Sequence, residues 1–271
     1  MAKEIVDGRK IDVKLKTRYP QLEFDYLQIY CGLPYTVDVS TANGTFEITL
    51  PTVGDIIRCG QKKFDSTLSI FTTNTTSYRL LLWKQGIDWN ELSDFNLFCM
   101  IYQQIDDDVA AMLFKNVKFS DFQLFSKKLG EEETIVLYNK ETDTEINEEV
   151  YQYIAQYLRV AFNVHPDEKI TKDEGLKRAY IRKDESALRQ AEANNEKKDS
   201  SLQPLISACV NHPGFKYNLK EVMDINICEF YDSVKRLQIY ENSTALMKGM
   251  YSGMVDGSKI NPESYNFMKA L

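Results

Sequence analysis

Few residues of this sequence are of types that could carry out chemistry, and each set has a structural explanation. Three consecutive aspartates, Asp106-Asp107-Asp108, could bind a divalent cation through hard oxygen ligands. Consecutive residues in the first turn of a helix point in different directions, however, and no glycine or further spaced acid completes a calcium loop. We therefore predict that these carboxylates cap a helix, where they face the positive end of its dipole.

A second acidic triplet and two histidines are the next candidates. Glu131-Glu132-Glu133 is predicted to lie at a turn between strands as solvated charge. His165 precedes Pro166 and His212 precedes Pro213, so both histidines are expected at helix ends. We predict that the His212 ring caps helix carbonyls rather than transferring protons. Neither histidine lies near a nucleophile motif such as G-x-S-x-G.

Cysteines and glycines also lack the spacing that a site requires. No C-x-x-C pair is present, no Cys or His lies at ligand spacing from the histidines, and no glycine-rich loop is followed by GKS or GKT. Buried free thiols in a reducing cytoplasm are expected instead. We predict no catalytic residues, no cofactor-binding residues and no metal ligands, and hence a protein without enzymatic activity. The cysteines are Cys31, Cys59, Cys99, Cys209 and Cys228.

Composition excludes further classes of protein. The chain of 271 residues is 43% hydrophobic and 12% aromatic, which is typical of a packed globule. Its net charge is -7 and no segment concentrates Lys and Arg, which argues against nucleic-acid binding. The apolar runs are far shorter than the roughly 20 residues of a membrane span. Because no apolar signal core follows Met1, we expect a soluble protein that stays in the cytoplasm where it is made.

The predicted fold class is α+β, with a small N-terminal β-hairpin or sheet region followed by a predominantly helical body. We expect a β-rich region over residues 1–50, a mixed α/β region over 51–145 and a helical region over 146–271. Alternating apolar residues predict a hairpin from Tyr35 to Leu50, with Asn43-Gly44 between its strands. Two further strands are expected at Phe119 to Phe125 and Ile135 to Tyr138.

The helices are predicted from apolar residues at helical spacing and from residues suited to their ends. The first begins at Pro51-Thr52 and ends at Gly60, and the third is capped by Ser77 and closes at Gly86. The others are expected at about Lys62 to Phe71, Ser93 to Tyr102, Asp106 to Phe114, Asn147 to Phe162, Leu202 to Val210, Asn218 to Tyr251 with a break near Asn226, and Asn261 to Glu263.

Two features have more than one interpretation. Nine acids and nine bases alternate over residues 167–199, which predicts an exposed charged helix that either is simply solvated or docks a partner. Several aromatic residues are expected in the core by their periodicity, although aromatic side chains also anchor protein interfaces. These aromatic residues are Tyr26, Tyr30, Tyr35, Phe46, Phe64 and Phe71.

Motifs across most of the chain resemble a family of tail-region proteins from phages and prophages of Gram-positive bacteria, described as tail assembly chaperones. The segment Leu50-Pro51-Thr52-Val53-Gly54-Asp55-Ile56-Ile57 is the most specific of them. Arg58-Cys59 departs from the family pattern, in which acidic or aromatic residues are commoner, and this puts any specific contact at that turn in doubt. The other motifs are Tyr19-Pro20, Tyr30 to Tyr35, Leu82 to Trp89, Glu91 to Phe95, Leu202 to Ser207, Gly214 to Asn218, Asp232 to Arg236 and Tyr251-Ser252-Gly253.

The resemblance implies a protein that binds the tape-measure protein or other tail proteins in the host cytoplasm. A tape-measure chain is long, helical and apolar, so its stripes need cover until the tail tube encloses them. Residues 147–253 could offer a groove for it. Two alternatives remain open: a virion structural protein of the tail tip, baseplate or connector, and a small enzyme or host-interfering factor. No membrane or nucleic-acid partner is expected, and the chain could form a homo-oligomer.

Overall fold

The computed structural model describes residues 2–6, 9–13, 18–115, 117–129, 132–194 and 201–269. The α+β fold class is confirmed, with small antiparallel sheets and a mostly helical body. The helices are α1 (Tyr26–Tyr30), α2 (Val53–Cys59), α3 (Gln61–Thr72), α4 (Arg79–Lys84), α5 (Asp94–Ile101), α6 (Asp107–Phe114), α7 (Glu148–Ala161), α8 (Glu174–Ala193), α9 (Leu202–Val210), α10 (Leu219–Val222) and α11 (Ile227–Tyr251).

The predicted N-terminal hairpin is present but shorter than expected. A first strand pair, β1 (Ala2–Val6) and β2 (Arg9–Val13), precedes it. In the predicted hairpin β3 (Tyr35–Val37) pairs antiparallel with β4 (Phe46–Ile48). Gly44 has the positive φ of +75° that a glycine tolerates. Asn43-Gly44 does not close a two-residue turn, because the loop reaches out and its Asn43 carbonyl accepts from Glu145 N at 2.9 Å.

The second predicted strand pair belongs to a three-stranded sheet. Strand β5 (Gln123–Leu129) pairs with β6 (Glu132–Asn139), and β6 pairs with β7 (Thr144–Ile146), which the sequence did not predict. The expected strand at Phe119 was wrong, since residues Phe119–Asp121 form a short 3-10 turn. In the acidic triplet, Glu132 and Glu133 belong to β6 rather than to a turn, and residue 131 lies outside the described residues.

Helix starts follow the predicted capping chemistry with one exception. Thr52 caps α2 in a capping box with Asp55, and Ser93 accepts from Asn96 N at the start of α5. The side chains of Asp106, Asn147 and Asn218 also accept from main-chain N–H groups in the first turns of α6, α7 and α10. The cap predicted at Ser77 was wrong. Its N–H and hydroxyl both donate to Asn74 Oδ1 at 2.9 Å, so residues 74–77 form a separate turn and α4 starts at Arg79.

The charged segment is helical from Glu174 to Ala193, and its outer face is exposed as predicted. Its first half does not project from the body, because Lys177 and Ile181 are buried. Residues 186–194 at its end are all exposed. The prediction of an exposed charged helix is therefore right for the end of α8 and wrong for its start.

One apolar cluster runs from Ile29 to Phe230 and joins most elements. Phe71 lies near its middle, with the rings of Phe98, Phe114 and Phe119 centred 5.0–5.6 Å away. This aromatic packing fixes α3, α5 and α6 against one another.

The first turn of α2 packs directly on the segment before α11. Val53 N donates to Ile225 O at 3.0 Å and Gly54 N donates to Met223 O at 2.9 Å. Ile227 N donates in turn to Pro51 O at 3.0 Å. These bonds use amides that the start of a helix leaves free, so they fasten the C-terminal helices to the rest of the molecule.

Candidate interaction surfaces

The three consecutive aspartates, Asp106, Asp107 and Asp108, each have partners in the structure. Asp106 accepts from two helix amides, Asp107 Oδ1 accepts from Phe119 N at 2.9 Å, and Asp108 pairs with Lys63 at 2.8 Å. Asp107 therefore points away from the other two, whereas Asp106 and Asp108 both bind the Lys63 ammonium, at 2.9 and 2.8 Å. Burial opposes the charge of Asp106, but Lys63 and two amides outweigh it and hold its pKa below the ordinary value. Among the described residues no three Cys, His, Asp or Glu side chains could hold an ion.

The cysteines and histidines differ in part from expectation. All five cysteines are free, but Cys31 is exposed and Cys59 half-buried, so the prediction of buried thiols is right for the other three. The His212 prediction was wrong: Nδ1 accepts from Gly214 N at 3.0 Å, because the chain turns back at Pro213. Its Nε2 lies 3.0 Å from Glu241 Oε1. His165 is exposed and bonds only to Asn163 within the described chain.

A buried polar network lies beside α7, where a cavity of about 440 Å³ opens. Asp94 Oδ1 accepts from Thr75 N at 2.9 Å, and Arg159 lies 3.7 Å from Asp94 Oδ2. Burial raises the pKa of Asp94, against the effect of the Thr75 amide and Arg159.

On the same face of α7, Gln156 binds the extended chain before α1. Its side chain accepts from Leu22 N at 2.9 Å and donates to Pro20 O at 3.0 Å. With the Tyr19 hydroxyl, which accepts from Asp94 N at 2.8 Å, these bonds connect α5, α7 and the N-terminal segment.

The aromatic residues divide between core and surface. Phe46, Phe64 and Phe71 are buried, which agrees with the periodicity. Tyr26 is exposed and Tyr30 lies at the edge of a groove on α11. Aromatic residues remain after the core is filled, and they are the ones available for binding.

A groove with mostly apolar walls lies between α2, the start of α3, α9 and α10. We call it the apolar groove, and its volume is about 510 Å³. Ile57 and Leu219 on its walls are 45% and 53% exposed. The polar side chains that line it within the described chain are uncharged. The full lining is Ile57, Gln61, Leu202, Gln203, Ile206, Ser207, Val210, Asn211, Leu219 and Met223.

A groove is expected from the sequence within residues 147–253, but its individual lining residues are not predicted there, and Ile57 and Gln61 lie outside that range. One signal was present, because α9 reads LQPLISACV and contains no charged residue. A surface helix usually carries charge on its outer face. The contribution of Ile57 had no such signal, since that residue lies about 150 positions before α9 in the sequence.

A second groove lies on α11 and is partly filled by the end of the chain. We call it the aromatic groove, and its volume is about 620 Å³. Residues 254–269, which we call the C-terminal strap, turn back after Gly253 and run along α11. The groove is lined by Tyr30, Gly214, Phe215, Lys216, Tyr217, Asp232, Ser233, Arg236, Leu237, Tyr240, Phe267 and Met268.

Within the described residues, no helix combines the length and apolar composition needed to cross a bilayer.

Residues 194–271 match the family model described as YomV second domain. The match begins at the end of α8 and covers α9, α10, α11 and the C-terminal strap. No curated protein and no solved structure matches the chain. The matched family is associated with Bacillus phages and prophages, so the C-terminal part of this chain is similar to a phage-related domain, which is consistent with a phage protein.

Proposed function

We propose that this chain is a non-enzymatic protein of phage tail assembly, a chaperone that holds an apolar helical segment of the tape-measure protein or of another tail component. The observation that carries the proposal is the apolar groove, which is formed by α2, α3, α9 and α10 and has exposed aliphatic walls. The similarity of residues 194–271 to a phage-associated domain supports the part of the proposal that this is a phage protein.

The chemistry of the groove suits an amphipathic helix. A volume of about 510 Å³ accommodates a few aliphatic or aromatic side chains, within the range of protein pockets. The Ser207 hydroxyl and the Asn211 side-chain amide border it and can bond to polar atoms at the edge of a bound helix. Because these groups are uncharged, the groove selects by shape and apolar surface rather than by opposite charge.

We propose that the protein acts in the host cytoplasm and binds neither nucleic acid nor membranes. A chaperone for a tail component works in the host cytoplasm before the tail is complete. The net charge of -7 opposes binding to nucleic acid. We propose no membrane partner, and a homo-oligomer remains compatible with the groove.

The experiment is co-expression with the tape-measure protein from the same phage genome, followed by a pull-down. We expect the wild-type chain to retain it, and Leu219→Glu to reduce retention at least tenfold by placing a charge in the groove. Leu188→Glu on α8 is the matched control, because Leu188 is 45% exposed and Leu219 53%. Equal retention by both variants, or no retention by the wild-type chain, would contradict the proposal.

A virion structural protein of the tail tip, baseplate or connector is the second candidate. It is favoured by Tyr251 and Met254, which are largely exposed at the far end of the 25-residue helix α11. Such apolar side chains are commonly covered in an assembled particle. Mass spectrometry of purified particles separates the two functions. A chaperone is absent from the particles, whereas a structural protein is present at fixed copy number.

A further inference from the structure

The C-terminal strap contacts one face of α11 along several turns. Near the end of the helix, the main-chain N–H groups of Met254 and Val255 donate to Gly249 O at 3.0 Å. At the other end of the strap, the ring of Phe267 meets the ring of Tyr240 edge to face, with centroids 5.6 Å apart. The strap therefore runs antiparallel to α11 and places its last residues in the aromatic groove.

Arg236 binds the main chain of the strap rather than a particular side chain. Its Nη1 donates to Phe267 O at 2.7 Å and to Lys269 O at 2.8 Å. In the described part of the chain, these are the hydrogen bonds that join residues 256–269 to the remainder. Residues 266–269 form a turn in which Lys269 N donates to Asn266 O at 3.4 Å. An arginine that binds two carbonyls two residues apart here recognises the backbone of that turn, and Tyr240 adds a preference for an aromatic ring.

The strap is weakly held. Phe267 is 42% exposed and Met268 is 77% exposed, and no described residue of the strap is buried. Ser243 is buried on α11 between the two ends of the strap contact, and within the described chain its hydroxyl has no hydrogen-bond partner. A buried hydroxyl without a partner is unfavourable. Segments with little buried apolar surface open at low free-energy cost.

We propose that the aromatic groove is a peptide-binding site and that the C-terminal strap occupies it within the same chain. The ligand class is a short, turn-forming peptide segment of another protein, with an aromatic side chain against Tyr240 and two main-chain carbonyls on Arg236. Tyr30, Phe215, Tyr217 and Leu237 provide the surface that receives its other side chains. The strap thus limits access to the groove, and a partner binds by replacing it.

This site is independent of the proposed function, because the aromatic groove and the apolar groove share no lining residue. The strap is tethered close to the site, and flexible tethers of this kind give effective concentrations in the millimolar range. A free peptide with the sequence of the strap therefore binds the wild-type chain poorly. Weakening the tethered copy must increase the affinity for the free one.

The experiment measures binding of a fluorescent synthetic peptide with the sequence of residues 261–271 to full-length chains by anisotropy. We expect Phe267→Ala in the full-length chain to bind the peptide at least tenfold more tightly than wild type. Met254→Ala is the control, since Met254 is exposed and does not line the groove, and it should behave as wild type. Adding Arg236→Ala to Phe267→Ala should abolish the gain, as should a peptide with alanine in place of its phenylalanine.

Circular dichroism of each chain verifies that the variants are folded. Equal peptide affinity of wild type and the folded Phe267→Ala chain would overturn the proposal, and so would a gain that survives Arg236→Ala. A wild-type dimer in sedimentation that Phe267→Ala dissociates would also overturn it, because the strap would then be exchanged between two copies. None of these outcomes bears on retention of the tape-measure protein, which tests the apolar groove.

Discussion

Arg79 and Asp184 form a bidentate ion pair that joins α4 to α8. Arg79 Nε lies 2.6 Å from Asp184 Oδ2, and Nη2 lies 2.5 Å from Oδ1. Their side chains are only 14% and 23% exposed, and the guanidinium also lies over the ring of Tyr180. Paired planar geometry and partial burial make this pair stronger than a surface salt bridge. It explains why a helix with the composition of a solvated arm packs on the body.

Asp184→Ala should therefore release the first half of α8. It leaves the Arg79 charge partly buried without its partner, which we expect to cost about 1–3 kcal/mol in the free energy of unfolding. Hydrogen–deuterium exchange of residues 174–185 should increase. Glu185→Ala is the matched control, because Glu185 pairs with Arg189 at 4.0 Å on the exposed side and should cost less than about 0.5 kcal/mol. Equal effects of the two variants would show that the ion pair does not hold the helix.

The packing of α8 on the body could not be predicted from the sequence, although many helix starts could. Helix ends at Thr52, Ser93, Asn147 and Asn218 were predictable, because a cap depends on residues within three positions. Arg79 and Asp184 are 105 positions apart, and nothing local indicates that they meet.

Strand β7 was missed for a similar reason. It is three residues long and is held by β6 and by the Asn43 loop rather than by its own pattern. Each groove is also lined by segments that are distant in the sequence. A groove in the C-terminal half was therefore predictable, but the residues that line it were not.

Gly54 belongs to the motif Leu50 to Ile57, and it lies where this motif packs on the backbone at Met223. A Cβ at this position would lie 2.7 Å from Met223 O, an approach that real Cβ atoms do not make. Gly54→Ala should thus separate α2 from residues 223–227 and lower the free energy of unfolding by about 1–3 kcal/mol in denaturant melts.

Gly175→Ala in α8 is the comparison, since the nearest atom there is the side-chain oxygen Asp173 Oδ1, 3.0 Å from the added Cβ, and not a backbone atom. Because alanine favours a helix over glycine, it should be neutral or stabilising by up to about 1 kcal/mol. If Gly54→Ala were as stable as the wild-type chain, the close contact at Met223 could not be what fixes this junction.

The five thiols should react at very different rates in the native protein. Cys31 is exposed and should react first with a disulfide reagent. Burial raises the pKa of Cys99 to about 12 and also raises the pKa of Cys228, so little thiolate is available at either position. We expect one fast equivalent that Cys31→Ser removes, with Cys99 and Cys228 reacting only on unfolding. Fast labelling of Cys99, located by mass spectrometry, would contradict the packing around α5.

Asp94 should give the protein a component of stability that decreases as pH rises. Burial raises its pKa above the ordinary value of 3.8, so the folded state binds its proton more tightly than the unfolded state does. This contribution is fully present below pH 3.8 and is lost as pH increases through the raised pKa. Asp55, Asp88 and Asp106 have lowered pKa values and act in the opposite direction, so the total pH profile cannot isolate Asp94.

Comparison with Asp94→Asn at each pH isolates this contribution, because the other carboxylates are common to both chains. Asparagine keeps an oxygen for the Thr75 N–H but cannot ionise. The stability of Asp94→Asn relative to wild type should therefore increase from pH 4 to pH 7 in urea melts. The change should continue until Asp94 is fully ionised. The same difference at every pH would mean that Arg159, 3.7 Å away, compensates the burial of the carboxylate completely, and the raised pKa would be wrong.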